Sequence, residues 1–264
     1  QRLLGDTIDK IAFEKAGVVK DRKPIYFGGD AGAGGHAVVA ARARERAAPF
    51  RDVGSYFEVE RRRMGRLRDG RLGATFDGRA GDLRLLDADA PGGGTFQPVN
   101  ALIGLALARD AASALGKSID ADRARRAIAE ARLPGRADEA PGLPRLVADG
   151  AHTPRSVDAL FELVRAGFPT AHLVLLCGVT EERDPGPLLT PVRRYATHAC
   201  FAPLPSPRTA DPKRLADVWR SLGGVAESFH SIEEAEKAAG LRAGAEGVVV
   251  ATGSFYLAGE ILGR

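Results

Sequence analysis

Cysteine is scarce: the 264 residues include only Cys177 and Cys200, set apart with no metal-type spacing. That excludes a disulfide framework and a cysteine-based zinc site. Cys177 falls inside an apolar run and reads as a small core residue. Long apolar runs are also missing. The longest, around 173–176 and 248–252, are far too short to span a bilayer. There is no signal-peptide pattern at the start, which is Gln1 rather than Met. Aromatics are few at 6%, with one Trp, and Lys is rare, with 7 against 31 Arg. Gly and Pro are abundant at 32 and 16 but follow no period, which excludes collagen and low-complexity disorder. What is present, 44% apolar and 27% charged residues, suits a soluble globular chain with one large or two ordinary domains.

The net charge of +4 is uneven: residues 1–133 carry 24 basic and 18 acidic groups, residues 134–264 carry 14 and 16. Six Arg lie between Arg61 and Arg71. A nucleic-acid surface would interleave such a patch with aromatics, and here only Tyr56 and Phe57 stand nearby. The patch therefore reads as a solvated hairpin face, and neither nucleic acid nor membrane is expected as a partner.

The pattern along the chain changes near residue 132. Before it come a helix over 6–17 capped by Asp6 or Thr7, a buried strand over 23–28, a Gly-rich loop over 28–35 and a helix over 36–48. Alternating residues 53–88 predict a β meander with turns at Asp69-Gly70 and Asp77-Gly78. Helices follow over 98–115 and 120–131. After Leu133-Pro134-Gly135, short strands at 145–148, 172–177, 199–202, 228 and 247–252 alternate with helices at 153–166, 185–195, 211–222 and 232–239. That alternation predicts βαβ units and a mostly parallel sheet.

Several segments have residue types suited to chemistry. Asp149-Gly150-Ala151-His152-Thr153-Pro154 follows a strand and opens a helix, the place where open parallel sheets bind ligands. Asp149 could accept from a sugar hydroxyl and His152 could contact a phosphoryl group; equally, Thr153-Pro154 could simply start a helix. Thr252-Gly253-Ser254 repeats the geometry, as an anion site or a plain Ser-capped turn. Arg136 lies in a loop at the junction, where an Arg can clamp an acidic ligand. The Gly28–Gly35 loop lacks the Gly-Lys-Ser/Thr ending of a phosphate loop. No Gly-x-Ser-x-Gly elbow or two-His zinc motif occurs.

Taken in order, these segments resemble the signatures of the folylpolyglutamate synthase/dihydrofolate synthase family, within the Mur-ligase-type amide-forming ligases. The resemblance rests on Leu4-Gly5-Asp6-Thr7 through Phe13-Glu14-Lys15-Ala16-Gly17, Phe96-Gln97-Pro98-Val99-Asn100, Leu133-Pro134-Gly135-Arg136, Asp149-Gly150-Ala151-His152 and Thr252-Gly253-Ser254-Phe255-Tyr256. It implies an α/β fold: the rear of a central ATPase domain with a β meander over 1–132, then a Rossmann-like C-terminal domain over 133–264. It also implies an ATP- and Mg2+-dependent ligase, cytoplasmic and monomeric, joining L-glutamate to dihydropteroate or folate through an acyl phosphate. By resemblance, Lys15 is carbamylated and helps hold the metal, Asn100, Arg136 and Asp149 hold ATP, and His152 and Ser254 lie at the acyl-phosphate and glutamate end.

Three departures accompany the resemblance. Thr153 stands where the family has Asn, and Glu181-Glu182-Arg183-Asp184 replaces an Asp-Lys-Asp segment, leaving only Asp184 in common. The family's phosphate loop has no counterpart here, so the chain is expected to be the rear two-thirds of such a ligase and inactive alone. The alternative is a non-catalytic relative that binds a nucleotide or a partner.

Overall fold

The computed structural model describes residues 7–29, 32–141, 144–180 and 184–263. In chain order the elements are α1 (Ile8–Lys15), β1 (Ile25–Phe27), α2 (Gly32–Glu45), β2 (Phe50–Asp52), β3 (Phe57–Arg66), β4 (Leu72–Ala80), β5 (Leu83–Pro91), α3 (Gln97–Ala114) and α4 (Ala121–Glu130). There follow β6 (Asp138–Ala140), β7 (Arg145–Ala148), α5 (Pro154–Gly167), β8 (Leu173–Cys177), α6 (Gly186–Leu189), β9 (Ala196–Phe201), α7 (Pro212–Ser221), β10 (Val225–Ser228), α8 (Ile232–Ala243), β11 (Val248–Thr252) and α9 (Phe255–Leu262). Two compact units result: residues 1–61, 76–87 and 98–126 form the first, residues 62–75, 88–97 and 127–264 the second. The boundary expected after residue 132 is a single cut, whereas the units interleave. Leu72, from the meander, lies in the larger core of the second unit with Met64 packed against it, which explains why 62–75 belong there.

In the first unit Thr7 caps α1, its hydroxyl accepting from the Lys10 N–H at 3.3 Å. The helix expected from His36 begins at Gly32 instead, so glycines placed in a loop form its first turn. Gly34 faces α1: a Cβ there would stand 2.4 Å from Oδ1 of Asp9, the end of an exposed side chain that can swing aside. Asp30 and Ala31 of that loop, and Leu4-Gly5-Asp6 of the first signature, lie outside the described residues. Strands β1 and β2 pair in parallel, Ile25 opposite Phe50, and β1 is half-buried rather than buried.

The meander has the order β3-β4-β5. Asp69-Gly70 makes the first turn as expected, with Gly70 at φ 85°. Asp77-Gly78 does not make the second: it lies inside β4, and the chain turns at Gly81-Asp82, with Gly81 at φ 61°. Gly78 mimics a turn signal for a packing reason, since a Cβ would meet the Glu58 carbonyl at 2.6 Å.

The second unit is built on a six-stranded sheet of order β10-β9-β8-β11-β7-β6, parallel except for the edge strand β6, which pairs antiparallel with β7. Period-two alternation sends Val147, Leu175, Phe201 and Val250 to one face and Leu146, Val174, Cys200 and Val249 to the other. Helices α5, α6 and α7 cover the first face, α8 and α9 the second. The chain steps outward through β7, β8, β9 and β10 and then returns to insert β11, so right-handed crossovers place later helices on the opposite face. The predicted helix over 185–195 is one short turn, α6, followed by a 3₁₀ segment over 190–194. The edge strand β6 carries no sequence pattern of its own. Cys177 and Cys200 are free, buried and on opposite faces, and burial pushes both thiols up to about 12.

Candidate functional site

The strand order reverses between β8 and β7, where β11 is inserted. The carboxyl ends of β7 and β11 therefore lie side by side, with Ala148 opposite Ala251. In open α/β sheets the crevice outside such a reversal is the ligand site. Both candidate loops leave from it.

The first loop is held by Asp149, only 3% exposed. Its Oδ1 accepts from the Ala151 N–H at 2.7 Å and its Oδ2 from the Ala137 N–H at 2.8 Å. Burial pushes its carboxyl up to about 6, against the lowering effect of these N–H groups and of Arg136. His152 turns Nδ1 onto the Gly150 carbonyl at 2.9 Å. A carbonyl only accepts, so Nδ1 carries the proton in the neutral ring and Nε2 the lone pair. Thr153 and Ser156 then form a capping box: the Thr153 hydroxyl accepts from the Ser156 N–H and the Ser156 hydroxyl from the Thr153 N–H, with Pro154 at the first helical position. Thr153-Pro154 thus starts α5.

The second loop continues β11. The Ala151 carbonyl accepts both the Gly253 N–H at 2.9 Å and the fully buried Thr252 hydroxyl at 3.1 Å, tying the two loops together. Gly253 has φ 107°, and a Cβ there would stand 2.6 Å from the Gly178 carbonyl. Ser254 is 7% exposed and caps α9, its hydroxyl accepting from the Tyr256 N–H.

A third segment joins them. Gly135 and Ala137 both have positive φ, 74° and 54°, and the Gly150 N–H donates to the Gly135 carbonyl at 2.9 Å. Arg136 is exposed, its guanidinium 5.0 Å from the centroid of the Phe255 ring. His152 approaches the same ring at 6.2 Å. Gly150 lies beneath it, where a Cβ would be 2.3 Å from Phe255 Cδ1. Beside this cluster is a cleft of about 300 Å³ lined by His152, Thr180, Asp184, Ser254, Phe255 and Tyr256, among others. Asp184 Oδ1 accepts from the Gly186 N–H at the start of α6. Glu181, Glu182 and Arg183 lie outside the described residues.

Arg136, Asp149, His152 and Ser254 thus share one end of the second unit. Lys15 and Asn100 belong to the first unit. Lys15 is an exposed residue on the last turn of α1, not the partly buried amine that a carbamate favours. No group of three or more His, Cys, Asp or Glu among the described residues is placed to hold a metal. These residues do not form the expected Mg2+ site, and no step is assigned to the ion. The Arg61–Arg71 patch is neutralised by pairs such as Arg61–Asp77, Arg66–Glu139 and Arg68–Asp89. Among the described residues no helix is long and apolar enough to cross a membrane.

Sequence reasoning missed Phe255 as the ring on which Arg136 and His152 meet, and Asp138, whose Oδ2 accepts from the Gly135 N–H at 2.7 Å. Phe255 directly follows Ser254 in the last motif, so its position was visible though its role was not.

Residues 135–255, which contain this cluster, match the family described as Mur ligase, glutamate ligase domain. A folylpolyglutamate synthase from Lacticaseibacillus casei is 26% identical over 99% of this chain and 58% of its own length. A probable bifunctional folylpolyglutamate synthase/dihydropteroate synthase from Haloferax volcanii is 30% identical over 98% of the chain and 30% of its own length. Among solved structures, the fold matches a Mycobacterium tuberculosis folylpolyglutamate synthase complexed with ADP and AMPPCP, with a TM-score of 0.82 and 24% identity over 99% of this chain and 61% of that one. It also matches E. coli FolC in complex with DHPP and ADP, with a TM-score of 0.79 and 25% identity over 98% and 57%. The chain therefore spans about three fifths of these two solved structures and of the Lacticaseibacillus relative. With the signatures in register and one end of the second unit built from them, the chain is similar to folylpolyglutamate synthases along nearly its whole length, and its residues 135–255 match the Mur-ligase glutamate ligase domain.

Proposed function

We propose that the chain carries the nucleotide- and glutamate-facing part of an ATP-dependent ligase joining L-glutamate to dihydropteroate or folate. The observation that carries this reading is the joining of three signature loops, 135–138, 149–153 and 252–254, at the strand reversal inside the residues matched by the glutamate ligase domain. Residues 1–132 are read as the rear of the ATP-binding domain and 133–264 as the Rossmann-like C-terminal domain, in a cytoplasmic monomer whose partners are small molecules.

The chemistry is acyl transfer. ATP gives its γ-phosphoryl group to the substrate carboxylate. The glutamate amine then attacks the acyl carbon, a C–N bond forms, the C–O bond to phosphate breaks, and the amine proton leaves to a base or water. Catalysis of this kind is mainly positioning and charge neutralisation. Arg136 supplies an exposed cation for phosphate, and His152, with its tautomer fixed, faces the cleft. Ser254, whose hydroxyl caps α9, lines the same cleft at the glutamate end. Asn100 is read as a nucleotide contact from the first unit. No segment of the sequence has a phosphate-loop ending, so this chain alone is expected to bind nucleotide without turning over.

Calorimetry of the chain with ADP and ATP tests the reading. Binding that Arg136→Ala weakens about tenfold, the loss of one charge-assisted contact, supports it. Absence of nucleotide binding would overturn it and favour a non-catalytic, partner-binding relative.

A further inference from the structure

We propose that Phe255 is a positioning residue: its ring holds the Arg136 guanidinium beside the cleft while leaving the N–H donors of that group unspent. The consequence for nucleotide rests on the reading above; the packing does not.

Three observations carry it. The ring is wedged between two of the signature loops: a Cβ at Gly150 would stand 2.3 Å from its Cδ1 and Cε1, and one at Gly135 would stand 3.6 Å from the same atoms. The backbone that carries the ring is fixed from the core. Phe255 is the first residue of α9, directly after the Ser254 cap, and Leu257, Ala258 and Ile261 of that helix are buried against the second face of the sheet. Among the described residues, the exposed Arg136 side chain has no hydrogen bond and no ion pair; only its main-chain N–H is engaged, by Asp138 Oδ2 at 3.4 Å. The ring, with its centroid 5.0 Å from the guanidinium carbon, is what this side chain rests on. A guanidinium held over a ring is attracted through its face, so its in-plane N–H groups stay available to an acidic ligand. A long side chain ordered in advance loses less freedom when the ligand arrives.

The first readout needs no ligand. In NMR of the unsubstituted chain, the Arg136 Hδ protons lie near the ring and resonate upfield of their position in the urea-unfolded chain. Phe255→Tyr keeps that shift. Phe255→Leu, which retains bulk over Gly150 but has no aromatic face, removes it. Arg136 protons without an upfield shift in the unsubstituted chain would overturn the proposal, and this arm decides even where Phe255→Leu fails to fold.

The second readout is a mutant cycle on ADP affinity. Phe255→Leu alone weakens ADP about threefold to fivefold, the size of one exposed cation–π contact, and Phe255→Tyr stays within about twofold of the unsubstituted chain. In the Arg136→Ala background Phe255→Leu changes affinity less than about 1.5-fold. An undiminished loss in that background would mean that the ring acts on the nucleotide without Arg136, against the proposal, and an unchanged affinity in Phe255→Leu alone would overturn it as well. If the unsubstituted chain binds no ADP, the nucleotide reading fails while the ring-current shift still decides whether Phe255 positions Arg136.

Discussion

Replacing Gly253 by Ala tests how tightly the end of β11 is locked into the site. Two costs combine. At φ 107° an L residue is strained, by about 1–3 kcal/mol. The new Cβ would also stand 2.6 Å from the Gly178 carbonyl, 2.9 Å from Cys177 Sγ and 3.0 Å from Val179 Cγ1. Those atoms follow or end β8, in the middle of the sheet, so they cannot yield freely, and overpacking of this kind costs about 1–3 kcal/mol more. The sum is about 2–6 kcal/mol. Gly223 is the control: its φ is 83°, but nothing lies within 4 Å of its Cβ position, so Gly223→Ala costs only the strain, about 1–2 kcal/mol. Urea unfolding followed by fluorescence reads both variants. The single tryptophan, Trp219, is fully buried in the second unit with its indole N–H on the Thr197 carbonyl, so it reports that unit. The expected result is a gap of about 2–3 kcal/mol between the variants, or about 6–10 °C in melting temperature. Equal losses would refute the close-approach argument and leave backbone strain alone to explain the glycine.

Thr153→Ala removes the cap of α5 and is expected to cost about 1 kcal/mol in the same unfolding assay, with Thr153→Asn near neutral; an unaffected Ala variant would show that the capping box contributes nothing. Asp149 predicts a pH dependence. Burial holds its folded-state value near 6 against 3.8, so between those values the folded chain binds the proton and the unfolded chain does not. Its stabilising contribution is therefore full below about pH 4 and lost as the pH rises through 6. Measured against Asp149→Asn, stability should fall by about 3 kcal/mol across that window, and parallel curves would contradict it. Gly150→Ala would drive a Cβ to 2.3 Å from the Phe255 ring. The ring is 46% exposed and can swing outward, so the variant should fold at a cost of about 1 kcal/mol while the ring-current shift on His152 changes; an unmoved His152 spectrum would exclude the shared packing.

The parallel sheet of the second unit was legible because its strands are doubly buried and its helices amphipathic: Val248–Thr252 and Leu173–Cys177 are apolar throughout. The loops at their ends were legible as helix-opening loops at the carboxyl end of the sheet because a strand followed by Gly and a cap residue is a local pattern. The failures share a physical cause. Gly78 is a space for a neighbour rather than a turn, and one sequence without its fold shows the glycine but not the atom that needs the space. Strand β6, of three residues, owes its pairing to β7 rather than to its own composition. The convergence of Arg136 and His152 on Phe255 joins residues far apart in sequence, which no local pattern encodes.

The signature residues divide into two kinds once their hydrogen bonds are known. Most of them shape main chain. Asp149 holds two N–H groups, Thr252 holds a carbonyl, Gly253 supplies a positive φ, and Thr7, Thr153 and Ser254 cap helices. The exposed, chemically available groups at the reversal are fewer, with Arg136 and His152 foremost. This division changes the meaning of the departures. Thr153 replaces an Asn, and both residues cap a helix with a side-chain oxygen, so the exchange keeps the structural task and loses only an amide N–H. Asp184, the one acid left in common from the altered segment, holds the Gly186 N–H that opens α6 and so also shapes main chain. The Thr153 departure therefore falls where the motif builds the loop, and the cap it must supply is still made.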